Sequence, residues 1–487
     1  MRVRALAAVV APLALWSAGC KVGPDYARPD VPTPASWGEI PATTDPNRSA
    51  AVAEGTPTAW WVSFGDPQLS SIVERMVASN LTLAQAEDRV LESRASERIA
   101  SSVLWPQIDS SGSYTRARTS KNGAGVLEQG HWYSFYDAGF DANWEIDVFG
   151  GNRRSVEAAD ASLEASERDR DAVLVSLLGE VGLEYVTYRS LQQRIALTEQ
   201  NLDAQQKTLE LTQRLFAAGL APELDVQRAA AEVATTASTI PVLREQAAQA
   251  LHSLSVLTGQ LPMSLAPELA PPGPIPTPPP QVAVGLPSEL LLRRPDVARA
   301  ERQLASQTAE IGVATRDLFP RFFLSGFGGL QSVKSSEFFE WESAAASVGP
   351  SISWPIFQGG RIRANIAFQD ASQQELLGAY RQTVLQAFQD VEDALVAFSE
   401  QQAARDHLAD AVKANQRAAE LARNLYKQGL TDFLTVLVAE ENLLSSQDSL
   451  AQTQRDVALE LIALYKALSG GWEVASAAPA APPSPSP

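Results

Sequence analysis

The chain has 487 residues, and its 57 acidic and 39 basic side chains give it a net charge of −18. That charge disfavours a nucleic-acid partner, because a phosphate-binding surface needs clustered Lys and Arg. The single cysteine, Cys20, excludes disulfides within the chain and multi-cysteine metal sites. The sequence contains no apolar run of about 18 residues, the length that a membrane-spanning helix needs.

The amino terminus has the pattern of a bacterial export signal with a lipid-attachment site. Two early arginines precede a short apolar stretch, and small residues lead into Cys20. We predict that residues 1–19 are removed and that Cys20 becomes the lipid-attached first residue. The alternative is an ordinary cleaved signal with an incidental thiol. Lys21 favours the outer membrane as the destination. The acyl chains on Cys20 would then anchor the extended segment 20–66 in the lipid of that membrane.

The remaining chain repeats itself at an offset of 210 to 214 residues. Pairs at an offset of 210 include Leu215/Leu425, Phe216/Tyr426, Gly219/Gly429, Leu220/Leu430, Leu224/Leu434 and Val226/Val436. The repeats span 67–261 and 288–472, and the proline-rich stretch 262–287, which cannot continue a helix, connects them. The Ala/Pro/Ser-rich tail 473–487 is predicted to be disordered.

Each repeat is predicted to hold the same elements in the same order. These are a helix (67–104 and 288–318), a β-hairpin (about 106–147 and about 320–356) and a pair of long helices (151–260 and 361–470). Gly151 to Phe216 carries apolar residues at helical spacing without a proline, which predicts a helix of ~100 Å. Gly219 is predicted to end it, and Pro222 to begin the returning helix.

The second strand of the first hairpin alternates between apolar and polar residues. Trp132, Tyr136, Phe140 and Trp144 fall on one face, and acidic residues occupy the other. This pattern predicts one face in an apolar medium and one in water, although a strand of a soluble sandwich would alternate equally. Trp132 and Trp144 are separated by ~28 Å of vertical rise, about the thickness of a hydrocarbon core. The predicted membrane-interface aromatics are Trp132, Trp144, Trp341 and Trp354.

Four strands cannot close a barrel, and an open strand edge cannot face lipid because its backbone groups would have no partner. Several copies of the chain must therefore close the barrel together. Two copies would give a filled barrel, three a narrow channel and four a wider one. The sequence thus predicts a mixed α and β fold, with four strands per chain continued by long helices and an internal duplication.

Five stretches spread over nearly the whole mature chain carry a family resemblance. They are Gly19–Tyr26, Trp60-Trp61 with Phe64–Pro67, Leu286–Ser288 with Arg293–Asp296, Trp354–Phe357 with Gly359-Gly360, and Tyr465–Leu468 before Gly470–Trp472. The chain resembles the outer-membrane efflux factors, the TolC/OprM-like group, in its NodT-type lipoprotein branch. The resemblance implies a homotrimer with a twelve-stranded outer-membrane barrel and a periplasmic α-helical barrel. It also implies docking to a periplasmic adaptor and an inner-membrane pump, with drugs or other small solutes exported through the lumen.

The resemblance also implies roles for the turns between the long helices, which it places at the periplasmic end where the adaptor binds. The contact candidates are Leu215, Phe216, Gly219, Leu220, Asp225, Leu425, Tyr426, Gly429, Leu430 and Asp432, with packing inside a helical hairpin as the alternative. Relatives narrow the pore with an apolar and an acidic ring. Leu434 matches the apolar position, but Val438 stands where a close relative has Asp. Glu440 or Glu441 is the substitute candidate, with a solvated surface role as the alternative.

Catalysis finds little support in the sequence. His131, His252 and His407 lie in separate segments, and none belongs to a nucleophile motif or has metal-ligand spacing. We therefore expect a protein that is not an enzyme and binds no cofactor or metal. A passive export duct is the leading hypothesis, because its barrel requires the duplicated strand pairs. The alternative is a lipid-anchored coiled-coil scaffold or adhesin without a pore.

Overall fold

A computed structural model describes residues 21–38, 48–52, 57–121 and 130–473. The signal peptide predicted at 1–19, the lipid-attachment site Cys20 and the tail from residue 474 onward lie outside the described residues. The described chain forms two compact units. The first takes in described residues of Met1–Asp30, Arg89–Glu167 and Arg299–Arg381, and the second those of Val31–Asp88, Arg168–Ala298 and Gln382–Pro487.

The helices and strands of the two repeats correspond closely. The first part of the chain holds β1 (Ala50–Val52), a 3-10 turn (Trp60–Phe64), α1 (Pro67–Ser79), α2 (Leu81–Ser102), β2 (Gln107–Arg118), β3 (Trp132–Ile146), α3 (Gly151–Ala217) and α4 (Glu223–Leu257). The second holds α5 (Ala266–Leu269), β4 (Gln281–Ala283), α6 (Pro287–Arg293), α7 (Pro295–Arg316), β5 (Arg321–Ser332), β6 (Ala344–Ser353), α8 (Arg361–Lys427) and α9 (Phe433–Ala467). Helices α3 and α8 have 67 residues each, and α4 and α9 have 35 each. The duplication therefore extends to the helix lengths.

The single helices expected over 67–104 and 288–318 are each two helices. Asn80 separates α1 from α2, where its side-chain oxygen accepts a hydrogen bond from the Leu83 N–H (2.9 Å) and its amide donates to the Leu257 carbonyl (2.7 Å). Arg294 makes the equivalent break, because the residue before a proline avoids the helical conformation. Apolar spacing continues across both breaks, so periodicity alone did not reveal them.

Arg294 joins several elements of the second unit. Its buried guanidinium donates to Asp296 (2.7 Å), to Asp390 of α8 (3.0 Å) and to the Ala467 carbonyl at the end of α9 (2.9 Å). Burial alone raises the pKa of the Asp296 carboxyl, but the hydrogen bonds and charge of Arg294 outweigh burial and lower it. The buried charge is thus compensated, which a buried arginine requires.

The first unit contains an antiparallel sheet in the order β2-β3-β5-β6. The two hairpins meet where β3 pairs with β5, and Gly139 lies opposite Gly329. A Cβ atom on Gly329 would lie 2.4 Å from the Ala138 carbonyl oxygen and 2.6 Å from the Gly139 Cα. These glycines therefore permit a backbone approach that no side chain could accommodate. Strands β2 and β6 form the two edges of this sheet.

We expect Gly329→Ala to destabilise the fold by about 1–3 kcal/mol, because the added methyl must push β3 and β5 apart. The measurement is the midpoint of thermal unfolding in detergent. Gly349→Ala in β6 is the matched control, since a Cβ atom there meets no other atom within 4 Å. Equal effects of the two substitutions would contradict the close contact between the hairpins.

Candidate functional site

The predicted functional residues fall into two regions, the sheet of the first unit and the helix turns of the second. In the sheet, β3 presents different chemistry on its two faces. Asp137 accepts a hydrogen bond from Gln331 (2.7 Å), and Asp141 accepts one from Ser111 (2.8 Å). On the other face, the rings of Tyr136 and Tyr114 lie 4.9 Å apart on paired strands. One face is therefore a hydrogen-bonded polar surface, and the other carries aromatic side chains.

The four predicted interface tryptophans lie toward the two ends of the sheet. Trp132 begins β3, and Trp341 precedes β6 in a short 3-10 turn, where it is 87% exposed. Trp144 and Trp354 lie toward the opposite end. Their indole N–H groups donate to equivalent carbonyls, those of Leu104 (3.0 Å) and Leu318 (3.1 Å). Strand β6, Ala344–Ser353, lies between Trp341 and Trp354.

The two helix turns share one backbone geometry. Gly219 and Gly429 have φ values of 74° and 71°, the left-handed conformation that ends many helices. In each turn the next residue, Leu220 or Leu430, donates its N–H to the carbonyl five residues earlier, at 2.8 and 2.9 Å. The turns differ in how the return helix begins. Asp432 accepts hydrogen bonds from the Thr435 N–H and hydroxyl and so caps α9.

The predicted contact residues divide into exposed and buried sets. Phe216, Leu220, Leu425 and Leu430 are exposed. Tyr426 is only 8% exposed and packs with Phe433, Val436 and two alanines in a core to which Leu215 also contributes. Tyr426 therefore packs inside the molecule and Leu215 is partly buried against the same core, while an adaptor contact for either residue stays a prediction. Asp225 is half-buried, and burial raises the pKa of its carboxyl, to which the charge of Asp432 adds.

The pore-ring candidates on α9 also differ from one another. Leu434 is 47% exposed and Glu441 is exposed, but Glu440 is only 6% exposed. Its carboxylate accepts hydrogen bonds from Arg423 of α8 (2.6 Å) and from Thr208 of α3 (3.0 Å). The charge of Glu440 is therefore used between helices of the same chain, which leaves the exposed Glu441 as the better-placed candidate for an acidic ring.

Sequence reasoning missed Arg423, the partner of Glu440. The two residues are 17 positions apart on different helices, and no spacing rule links them. Nearby, burial raises the pKa of the Glu232 carboxyl, and the charge of Glu441 raises it further. The region is thus an electrostatic cluster in which the geometry, and not the sequence, determines which acid is paired.

The three histidines lie in separate places along the chain: His131 precedes β3, His252 lies in α4 and His407 lies in α8. Within the described ranges, no group of three or more His, Cys, Asp or Glu side chains is placed to hold a metal ion. Among the helices of those ranges, none combines the length and apolar character needed to cross a membrane.

Comparisons with known proteins identify similar chains. The family model described as outer membrane efflux protein matches residues 72–260 and 286–470. Nodulation protein T of Rhizobium leguminosarum bv. trifolii is 32% identical over 462 residues, covering 94% of this chain and 96% of the relative. The pyoverdine export outer membrane protein OpmQ of Pseudomonas aeruginosa is 32% identical over 418 residues, 85% of this chain and 87% of that protein.

Solved structures give the same result. The outer-membrane channel OprN has a TM-score of 0.87 at 37% identity, covering 93% of this chain and 100% of its own. The outer membrane channel MtrE of Neisseria gonorrhoeae, determined in an open state, has a TM-score of 0.78 at 28% identity, covering 93% and 99%.

We expect Glu440→Gln to destabilise the helix turns by about 1–3 kcal/mol, because it leaves the Arg423 guanidinium without its charged partner. The thermal unfolding midpoint of the purified protein should fall. Glu441→Gln is the control on the neighbouring residue, and it should be neutral or slightly stabilising because it removes a charge that acts against Glu232. Shifts of the same sign and size would contradict the assignment.

Proposed function

Since the chain belongs to the outer membrane efflux protein family, we propose that it is the outer-membrane channel of a three-component exporter. In this role it is a passive duct that carries drugs or other small solutes from a pump and its adaptor to the exterior. Relatives of the chain are named for the export of pyoverdine, antibiotics, toluene and solvents. Those cargoes belong to the relatives, and the proposal for this chain stops at small solutes.

The observation that carries the proposal is the open four-stranded sheet. Strands β2 and β6 each have one neighbour among the described strands, so their outer backbone groups need partners from another chain. Hydrocarbon cannot supply those partners. Three copies give twelve strands, enough for a barrel with a narrow lumen, whereas two copies would give a filled barrel. We therefore propose a homotrimer.

The two faces of the sheet support the same arrangement. The polar face with Asp137 and Asp141 suits a water-filled lumen, and the face with Tyr136 and Phe140 suits lipid. The tryptophans toward the two ends of the sheet then lie at the membrane boundaries, where aromatic residues are enriched. A scaffold or adhesin without a pore would need neither feature.

The residues directly after Cys20 support a lipid anchor beside the sheet. The Val22 N–H donates to the Phe149 carbonyl (3.1 Å), and Lys21 pairs with Glu157 (3.0 Å). Arg154, whose side chain is fully buried, donates to the Val22 carbonyl (3.0 Å). These contacts hold the start of the mature chain against the beginning of α3. An acyl group on Cys20 would thus enter the membrane next to the barrel that it serves.

The helix turns are the proposed contact with the periplasmic adaptor and, through it, the inner-membrane pump. Phe216, Leu220, Leu425 and Leu430 are apolar side chains exposed around the two turns, and burial of such groups drives association. Gly219 and Gly429 set the turns that present them. Asp225 and Asp432 lie beside these residues, with Asp432 also serving as the helix cap.

The test of the function is conduction. The full mature protein, extracted in detergent and added to a planar lipid bilayer, should insert and give discrete current steps. A scaffold without a pore would give none. Chemical cross-linking of the same preparation should yield trimers, and a preparation that stays monomeric would contradict the barrel-closure argument.

Leu434 is the proposed apolar constriction, with Glu441 the remaining acidic candidate of the pore. We expect Leu434→Ala to increase the closed-state leak current of the reconstituted channel, because the smaller side chain widens the narrowest ring. Val242→Ala is the control, since Val242 is similarly exposed but lies on α4, well away from the turns. An unchanged leak current in the Leu434 variant, or an equal increase in the control, would contradict the constriction at Leu434.

A further inference from the structure

A groove of about 380 Å³ lies between α3, α8 and α9 close to the helix turns. Its polar lining consists of Lys207, Thr208, Arg214, Arg423, Tyr426 and Lys427. Four of these side chains are cations, and no carboxylate is among the lining residues. In a chain with a net charge of −18, a concave surface of this charge stands apart from its surroundings.

Three of the four cations are available to a ligand. Lys207 pairs with Asp203 and Arg214 with Glu210 on the same helix, and these side chains are largely exposed. Such surface pairs contribute little, so an incoming anion can replace them. Lys427 forms no ion pair with the part of the chain that the structure describes. Arg423 differs, because it is held by Glu440.

Tyr426 adds a hydrogen-bond donor to the groove. The residue is only 8% exposed, and its hydroxyl makes no hydrogen bond with any described residue. The nearby Thr212 hydroxyl donates its own hydrogen to the Thr208 carbonyl (2.9 Å). Burial raises the pKa of the Tyr426 hydroxyl and outweighs the lowering effect of the nearby Thr212 side chain, so the phenol keeps its proton at neutral pH. An unpaired buried donor is unfavourable, and a carboxylate oxygen would satisfy it.

The neighbourhood of the groove favours a protein ligand over a free anion. Arg214 is two residues from the exposed Phe216, and Lys427 is three residues from the exposed Leu430. A free anion would leave both apolar side chains in water. A helix that carries an acidic residue beside apolar residues would bury them and pair its charge in one contact, as interfaces with an apolar centre and a charged rim do.

We propose that the groove receives an aspartate or glutamate side chain from a helix of the periplasmic adaptor, with Lys207, Arg214 and Lys427 binding the carboxylate region and Tyr426 donating to it. This inference rests on the proposed export function, since it assumes that an adaptor docks at these turns. It adds that the match between channel and adaptor is electrostatic as well as apolar. Binding should therefore weaken as salt concentration rises.

The probe is a pair of helical peptides of about 20 residues, long enough to be helical in water. One carries glutamates and leucines on one face, and the other replaces every glutamate with glutamine. Binding to the full mature channel in lipid nanodiscs is measured by fluorescence anisotropy. We expect the glutamate peptide to bind and the glutamine peptide to bind at least about tenfold more weakly.

Charge reversal locates the binding surface. Arg214→Glu combined with Lys427→Glu should lower the affinity for the glutamate peptide by at least about tenfold. Lys413→Glu combined with Arg417→Glu is the matched control, because both cations lie on α8, are largely exposed and pair with a carboxylate three residues away. The control should change the affinity less than about twofold. Equal loss in both double variants would overturn the proposal, since it would show only long-range attraction.

Tyr426→Phe tests the hydroxyl alone. Removing an unpaired buried hydroxyl should leave the thermal unfolding midpoint unchanged or raise it, whereas binding of the glutamate peptide should weaken several-fold. Unchanged binding would remove Tyr426 from the site. If inorganic phosphate displaces the peptide at concentrations similar to the peptide's own, the groove is a small-anion site and the adaptor proposal is overturned.

Failure of this inference is distinguishable from failure of the proposed function. A channel that conducts in planar bilayers but binds both peptides equally keeps its function and loses the acidic-partner proposal. A protein that fails to conduct contradicts the function whatever the peptides do.

Discussion

The outer backbone edges of β2 and β6 have no neighbour among the described strands, and the proposed assembly depends on this constraint. A strand edge exposes N–H and C=O groups, and in hydrocarbon nothing but another strand can satisfy them. The proposed homotrimer meets this requirement, because the edges of each sheet would pair with those of identical copies. The glycine pair at Gly139 and Gly329 serves this end within one chain, because it brings the two hairpins into one continuous sheet.

Internal duplication follows the same logic. Two β-hairpins and two long helix pairs give each chain two near-equivalent parts, with helices of identical length in both. The Trp144 and Trp354 indoles make the same hydrogen bond at equivalent positions, so the passage from helix to strand is also duplicated. The repeats differ at the helix turns. Asp432 caps one return helix, whereas Pro222 begins the other without a side-chain cap.

Near those turns, acidic residues that look alike in the sequence have different electrostatic environments. Glu440 and Glu441 are adjacent, yet one is buried against Arg423 and the other is exposed. The carboxylate of Glu440 links α9 to both α8 and α3. It therefore contributes to the packing of the two long helix pairs against each other. In the adjoining groove, Lys207 and Arg214 remain available because their carboxylate partners form only exposed surface pairs. A stabilising cluster and a candidate recognition surface thus lie side by side on the same helices.

The sequence by itself determined what depends on local spacing: the long helices, the glycine-ended turns at Gly219 and Gly429, the alternation along β3 and the duplication. Each follows from steric or hydrophobic rules that act over a few residues or a fixed repeat. Only the tertiary structure decided which side chains of the long helices are buried. Tyr426 was expected at a contact surface and lies in the core, and Glu440 was expected in the pore and pairs with Arg423. Over 67 residues, small departures from ideal helical twist accumulate, so the face that each residue presents is set by packing against helices distant in the sequence. The break at Asn80 has a partner 177 residues away, Leu257, which no local pattern encodes, whereas Pro295 directly after Arg294 is a local signal for the second break.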